Sequence, residues 1–191
     1  MSVSQSQDGG ARSRTRRAIL DAAMTVLGDN PTASLGDIAT AAEVGRSTLH
    51  RYFPERSDLL CALARHVHAL SNEAIERAEP DCGPAVEALR RVVECQLALG
   101  PIVPFIFNEP TVNADPELAA LLDTGDEVIV DVLNRASTRG SAGPPEWPRL
   151  VFWALLEAGY LALKRNSAPR VQIVDAIMAS LTEGTINPNQ T

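Results

Sequence analysis

The residues best equipped for recognition chemistry lie in RSTLHRYFPER, residues 46–56. At about 100° per residue along a helix, Leu49, Tyr52 and Phe53 share one side, while Arg46, Ser47, His50 and Arg51 turn to the other. That second face carries cations, a hydroxyl and an imidazole, groups that pair with anions and exchange hydrogen bonds but do not by themselves break bonds. The major groove of a DNA duplex presents matching chemistry: it is wide enough for a helix, and its base edges carry donors and acceptors between rows of phosphates. Arg46 and Ser47, at the helix start, can address bases. Thr48, His50, Arg51 and Tyr52 can address phosphates.

A reading face of this kind needs a second element to hold it. Upstream, Leu35, Ile38, Ala39 and Ala42 fall at i, i+3, i+4 and i+7, one buried stripe of a short helix, and a three-residue turn separates it from Arg46. Further upstream Arg12, Arg14, Arg16 and Arg17 form a basic run ahead of a helix marked by Ile19, Ala23, Val26 and Leu27. Such an arm, with Arg14 within it, can follow the DNA backbone or enter the minor groove. Downstream, Pro54, Glu55, Arg56 and Ser57 interrupt the chain and open another helix, where Arg56 and the first free amides can bind a phosphate. Two amphipathic helices and a turn also occur in proteins that never meet DNA, and a polar face is commonly only solvated. The flanking basic groups tip the balance towards DNA.

At these residues the chain resembles the TetR family of transcriptional regulators. The family pattern, approximately I-A-x-x-A-G-V-S-x-x-T-L-Y-x-[HY]-F-x-x-K-x-x-L, is met by Ile38, Ala39, Ala42, Val44, Thr48, Leu49, His50, Tyr52, Phe53, Arg56 and Leu59. Two positions depart from it. Glu43 stands where the family has a turn glycine, so a residue with a Cβ is expected in a left-handed conformation at a cost of about 1 kcal/mol. Gly45 stands where serine or threonine caps the recognition helix, a loss of a few tenths of a kcal/mol.

Composition is compatible with this. A chain of 191 residues, 45% hydrophobic, can bury a core large enough for a small recognition domain and a larger second one. The net charge of −7 is unevenly placed: residues 1–60 hold seven Lys/Arg against seven Asp/Glu, residues 61–191 ten against seventeen. DNA affinity must then depend on a local basic surface and be sensitive to salt. Cys61, Cys82 and Cys95 form no C-x-x-C pair and no zinc spacing with histidine, so buried or unreactive thiols are expected. His66 and His68, two apart, diverge on a helix. No metal or cofactor is expected, and no nucleophile–base pair or phosphate loop argues for an enzyme. The polar N-terminus is not expected to serve as a signal peptide. Leu150 to Leu163, the most apolar stretch, is too short to span a bilayer and contains Glu157, so a cytoplasmic protein without membrane attachment is expected.

Past residue 57 the pattern stays helical, giving an all-α chain: an arm over 1–13, a helix-turn-helix domain over 14–56, a helical domain over 57–185 and a tail over 186–191. Leu59, Leu63, Val67, Leu70 and Ala74 mark a long connecting helix ending near Glu79-Pro80, and Val86, Leu89, Val93 and Leu97 mark the next. Between Pro101 and Pro110 only a short helix fits. One helix is expected from Asp115 through Leu133, a loop over 137–145, a helix from Glu146 to about Arg165 and a last one from Arg170 to about Thr182. The helix from Glu146 is apolar almost all round and needs cover on every side. With the last helix it resembles the pair through which TetR proteins form homodimers, which implies interface roles for Leu156, Leu163, Val174, Ile177, Met178 and Leu181. The resemblance also implies a small-molecule cavity. Phe105, Phe107, Leu122, Trp153 and Tyr160 are the residues expected to line it and Glu157 to anchor a polar group, though such aromatics also serve as plain core. A mainly apolar effector that favours badly spaced recognition helices would release a palindromic operator. The competing class is a small all-α ligand carrier or enzyme that keeps the N-terminal helices only as scaffold.

Overall fold

The computed structural model describes residues 3–136 and 144–182, and every regular element among them is an α-helix. The chain divides into two compact units, one drawn from residues 1–68 and 102–122, the other from 69–101 and 123–191. The loop expected over 137–145 falls largely, and the tail expected over 186–191 wholly, outside the described residues.

In the first unit α1 runs Val3–Asp29, α2 Leu35–Ala41 and α3 Arg46–Tyr52, followed by the start of α4 (Arg56–Arg77). The helix α1 reaches back over most of the stretch expected as an arm, so Arg12 stands on a helix. Ile19, Ala23 and Leu27 of α1, Ile38 and Ala39 of α2, Leu49, Phe53, and Leu59, Leu63 and Val67 of α4 are buried. The three short helices α6 (Ile102–Phe107), α7 (Pro110–Asn113) and α8 (Pro116–Leu122) complete this unit, α6 packing on α1.

In the second unit the rest of α4 joins α5 (Ala85–Ala98), α9 (Glu127–Ala136), α10 (Trp147–Lys164) and α11 (Arg170–Thr182). The α5 helix contacts α9, α10 and α11, and Val92, Val93, Leu97, Val132, Phe152, Leu156, Ile173 and Ile177 fill the core between them. Buried polar groups are matched. The Ser71 hydroxyl donates to Gln96 Oε1 at 3.0 Å, the Gln96 amide donates to the Ser71 carbonyl at 3.2 Å, and Tyr160 donates to the Gln96 carbonyl at 2.7 Å. The helix expected from Asp115 through Leu133 is instead two, α8 and α9, in different units. Gly125, at φ +89°, provides a left-handed break that its neighbours' apolar periodicity conceals.

Candidate nucleic-acid interface

Local sequence fixes the angle between α2 and α3. Ser34 caps α2: its hydroxyl accepts from the Asp37 amide at 3.2 Å, while the Asp37 carboxylate accepts from the Ser34 amide at 2.8 Å, a reciprocal capping box. The Ser34 amide, and next the Ser34 hydroxyl, which also donates to Asp37 Oδ2 at 2.8 Å, hold the Asp37 carboxyl below its usual 3.8 despite an opposing effect of burial, with the Arg46 charge adding a smaller effect. At the other end the Val44 amide donates to Ala39 O at 3.0 Å and the Glu43 amide to Thr40 O at 3.1 Å, the paired bonds of a Schellman turn. Glu43 occupies its left-handed position at φ +54°, as the glycine-to-glutamate departure predicts. Ala42 to Gly45 link the helices, one residue more than expected. Gly45 caps α3 with extended backbone and no side-chain bond.

On α3 the two faces separate as the periodicity requires. Leu49 is buried, Thr48 and Tyr52 are half-buried, and Arg46, Ser47, His50 and Arg51 are exposed. The Nδ1 of His50 is 3.3 Å from the Pro54 carbonyl; protonated there, it donates to that oxygen. Arg14 is exposed on α1.

Two residues of the basic run serve the fold in a way the sequence reading did not anticipate. The guanidinium of Arg12 lies 5.9 Å from the Tyr52 ring centre and that of Arg16 lies 5.4 Å from the Phe53 ring centre, so α1 grips the end of α3 by cation–π contacts. Their i, i+4 spacing was the visible signal. Arg51 also approaches Tyr52, at 5.8 Å.

Arg56 differs from expectation. Its guanidinium donates to the carbonyls of Ala33 and Pro31, the latter at 2.8 Å, tying the start of α4 to the loop before α2. The Glu55 amide at that helix start donates to Asp58 at 3.0 Å. Donors expected to meet phosphate are thus committed within the subunit.

The residues expected around an effector are drawn from both compact units. Phe105 and Phe107, half-buried on α6, and buried Leu122 belong to the first unit; Trp153, Glu157 and Tyr160 belong to the second. Glu157 is exposed, which does not suit an anchor inside a cavity. Tyr160 is core, its hydroxyl pushed above the usual phenol range first by burial and then by nearby Cys95. Trp153 is half-buried and donates to Asp126 at 3.1 Å; Arg149 also donates to Asp126 and reaches Asp123 at 2.6 Å. Sequence spacing gave no hint of this Asp123–Asp126–Arg149–Trp153 group.

The residues expected at a dimer interface are mostly inside their own subunit: Leu156, Val174, Ile177 and Met178 are buried, Leu163 and Leu181 half-buried. The exposed apolar face of α10 is the other one, bearing Trp147, Leu150, Ala154, Ala158 and Leu161, with exposed Val171 on α11.

The thiols take no part. Cys95 is pushed up to about 11, chiefly by burial; Cys61 is raised, also chiefly by burial; Cys82 is exposed. Among the described residues no His, Cys, Asp and Glu cluster is placed to hold a metal ion, and no helix is long and apolar enough to cross a membrane.

Residues 19–63, from within α1 to within α4, match the model of bacterial regulatory proteins of the tetR family. Over 184 residues, 96% of this chain and 97% of the other, the sequence is 68% identical to the HTH-type transcriptional repressor LfrR of Mycolicibacterium smegmatis. The structure is similar to that of the TetR-like transcriptional regulator LfrR from Mycobacterium smegmatis in complex with proflavine, with a TM-score of 0.84 at 68% identity, covering 91% of this chain and 98% of the other. A second LfrR structure from Mycobacterium smegmatis matches at a TM-score of 0.73 and 60% identity, covering 89% and 99%.

Proposed function

The chain belongs to the TetR family of transcriptional regulators, and from that premise we propose that it is a homodimeric, ligand-responsive repressor released from a palindromic operator by a small molecule. The observation that carries the DNA-binding part is the exposed face of α3. Ser47, His50 and Arg51 project from a helix whose rear is buried at Leu49 and whose end is gripped by Arg12 and Arg16. Arg14 and Thr48 add contacts to the backbone at its margins. Rigid mounting lowers the entropy lost on docking, and a helix N-terminus carrying small polar side chains can reach base edges.

One recognition helix of seven residues buries little surface, and a two-fold dimer doubles it. The exposed α10 face supports that assembly. Half-site centres would lie about 34–36 Å apart along the duplex. Repression then follows from occlusion of a promoter.

The effector we assign is small, with large apolar faces. Its support is the proflavine, a planar aromatic dye, in the LfrR complex, and the half-buried aromatic ring of Trp153 in the second unit. Continuity of α4, which contributes residues to both units, gives a covalent route from effector to α3. Effector lowers operator affinity only to the extent that it prefers the conformation with mismatched α3 spacing.

Selection of genomic fragments by the purified protein, followed by sequencing, tests the proposal. An inverted repeat whose retention falls when proflavine is added is the expected result. A homodimer that retains no fragment above background at low ionic strength would refute DNA binding and favour the carrier reading.

A further inference from the structure

Arg46 is exposed at the start of α3, yet its head does not extend away from the helix pair. It rests on α2 at Gly36. A methyl group on Gly36 would meet Arg46 Nη2 at 3.2 Å, Nε at 3.3 Å and Cζ at 3.4 Å, so the guanidinium occupies the space a side chain would fill. Gly36 has no left-handed backbone demanding glycine; it sits in the first turn of α2, where alanine is the better helix former. The gap left by its missing Cβ is what the guanidinium uses. Ser34, Leu35, Gly36, Arg46, Leu49 and His50 line one groove between α2 and α3.

In a helix-turn-helix the first helix crosses the sugar–phosphate backbone while the second enters the groove. A guanidinium seated on α2 is therefore aimed at the backbone rather than along α3 towards the bases. We propose that Gly36 is a specificity-determining position: its bare Cα seats Arg46 on α2, where the guanidinium holds a backbone phosphate instead of reading a base. Arg46 then positions the protein and carries little sequence information, and base reading falls to Ser47 and its neighbours. This inference rests on the DNA-binding reading above.

The test uses the full-length protein, the operator recovered by genomic selection and its single-base variants, in anisotropy titrations at several salt concentrations. Arg46→Ala is expected to weaken binding to every operator variant by one common factor and to lower the slope of log affinity against log salt by about 1.8, the loss of one phosphate contact in each half-site of the dimer's operator. Gly36→Gln fills the seat; it is expected to lower the slope similarly, and the double variant to bind no more weakly than Arg46→Ala alone. Gly36→Ala requires Arg46 to shift by only a few tenths of an ångström. It is expected to lower affinity and salt slope less than Gly36→Gln does, and helical circular dichroism of both Gly36 variants is expected to match wild type, which separates a filled seat from misfolding.

A loss on Arg46→Ala concentrated at one base pair, about 5- to 150-fold there and small elsewhere, would make Arg46 a base reader and overturn the proposal. So would a Gly36→Gln protein with the wild-type salt slope. Wild-type protein that binds no DNA would instead remove the regulator reading, and this inference with it.

Discussion

Glu43 accepts at φ +54° a conformation that glycine takes without steric penalty, in the turn that sets the angle of the recognition helix. Glu43→Gly is expected to stabilise the protein by about 0.5–1 kcal/mol, measured as a rise in the urea midpoint at unchanged m-value. An unchanged or lower midpoint would mean that contacts of Glu43 offset its strain. This residue was legible because one expected turn position carried the wrong side chain. Arg56 was not: a cation at a helix start suits phosphate and carbonyl alike, and only the nearby Pro31 and Ala33 oxygens decide between them. Trp153 had the same difficulty. Its indole partner, Asp126, is far along the chain, and no spacing rule joins them.

Capping and close packing decide how well single helices hold their place. Below its usual 3.8 the Asp37 carboxyl titrates at a lower pH in the folded protein than in the unfolded chain, so its contribution is fully present above 3.8 and is lost as pH falls through the depressed folded value. Ser34→Ala removes the hydroxyl that accepts from the Asp37 amide and donates to the Asp37 carboxylate, and leaves the Ser34 amide in place. It is expected to lower stability near neutral pH by about 1 kcal/mol, with the deficit shrinking on acidification below 3.8. Parallel urea titrations across pH would show it, and a pH-independent deficit would contradict the capping-box account.

Deeper in the second unit, Gly159 lets α10 approach α5 and α11. A Cβ there would lie 2.9 Å from Ile177 Cδ1 and 3.1 Å from Leu97 Cδ2. Gly159→Ala is expected to cost about 1–3 kcal/mol of stability, read in the same titration, by overpacking this junction; an alanine protein as stable as wild type would show that the junction can yield. Most helices were evident from apolar period and Pro or Gly punctuation. The division of α8 from α9 was not, because Leu122 and Ile129, seven apart, keep one stripe in phase across Gly125.

At the scale of the assembly, period alone revealed that α10 was apolar all round but not which side its own subunit would claim. Phe152, Leu156, Gly159 and Tyr160 turn inward, so Leu156, assigned to an interface from sequence, is buried within its own subunit. On that face Trp147, Leu150, Ala154, Ala158 and Leu161 recur within about 80° of arc, and Leu150 and Leu161 are 54% and 47% exposed. Small alanines between larger apolar groups permit close approach of a two-fold copy. A charge at each large position would be desolvated without a partner on association, and four such charges would meet across the two subunits. Leu150→Glu with Leu161→Glu is therefore expected to yield a folded monomer: half the wild-type mass by light scattering, unchanged helical circular dichroism, and operator affinity reduced at least about a hundredfold as the second half-site contact is lost. A double variant that remains a dimer with wild-type operator affinity would move the interface off this face and leave the exposed stripe on α10 without a role.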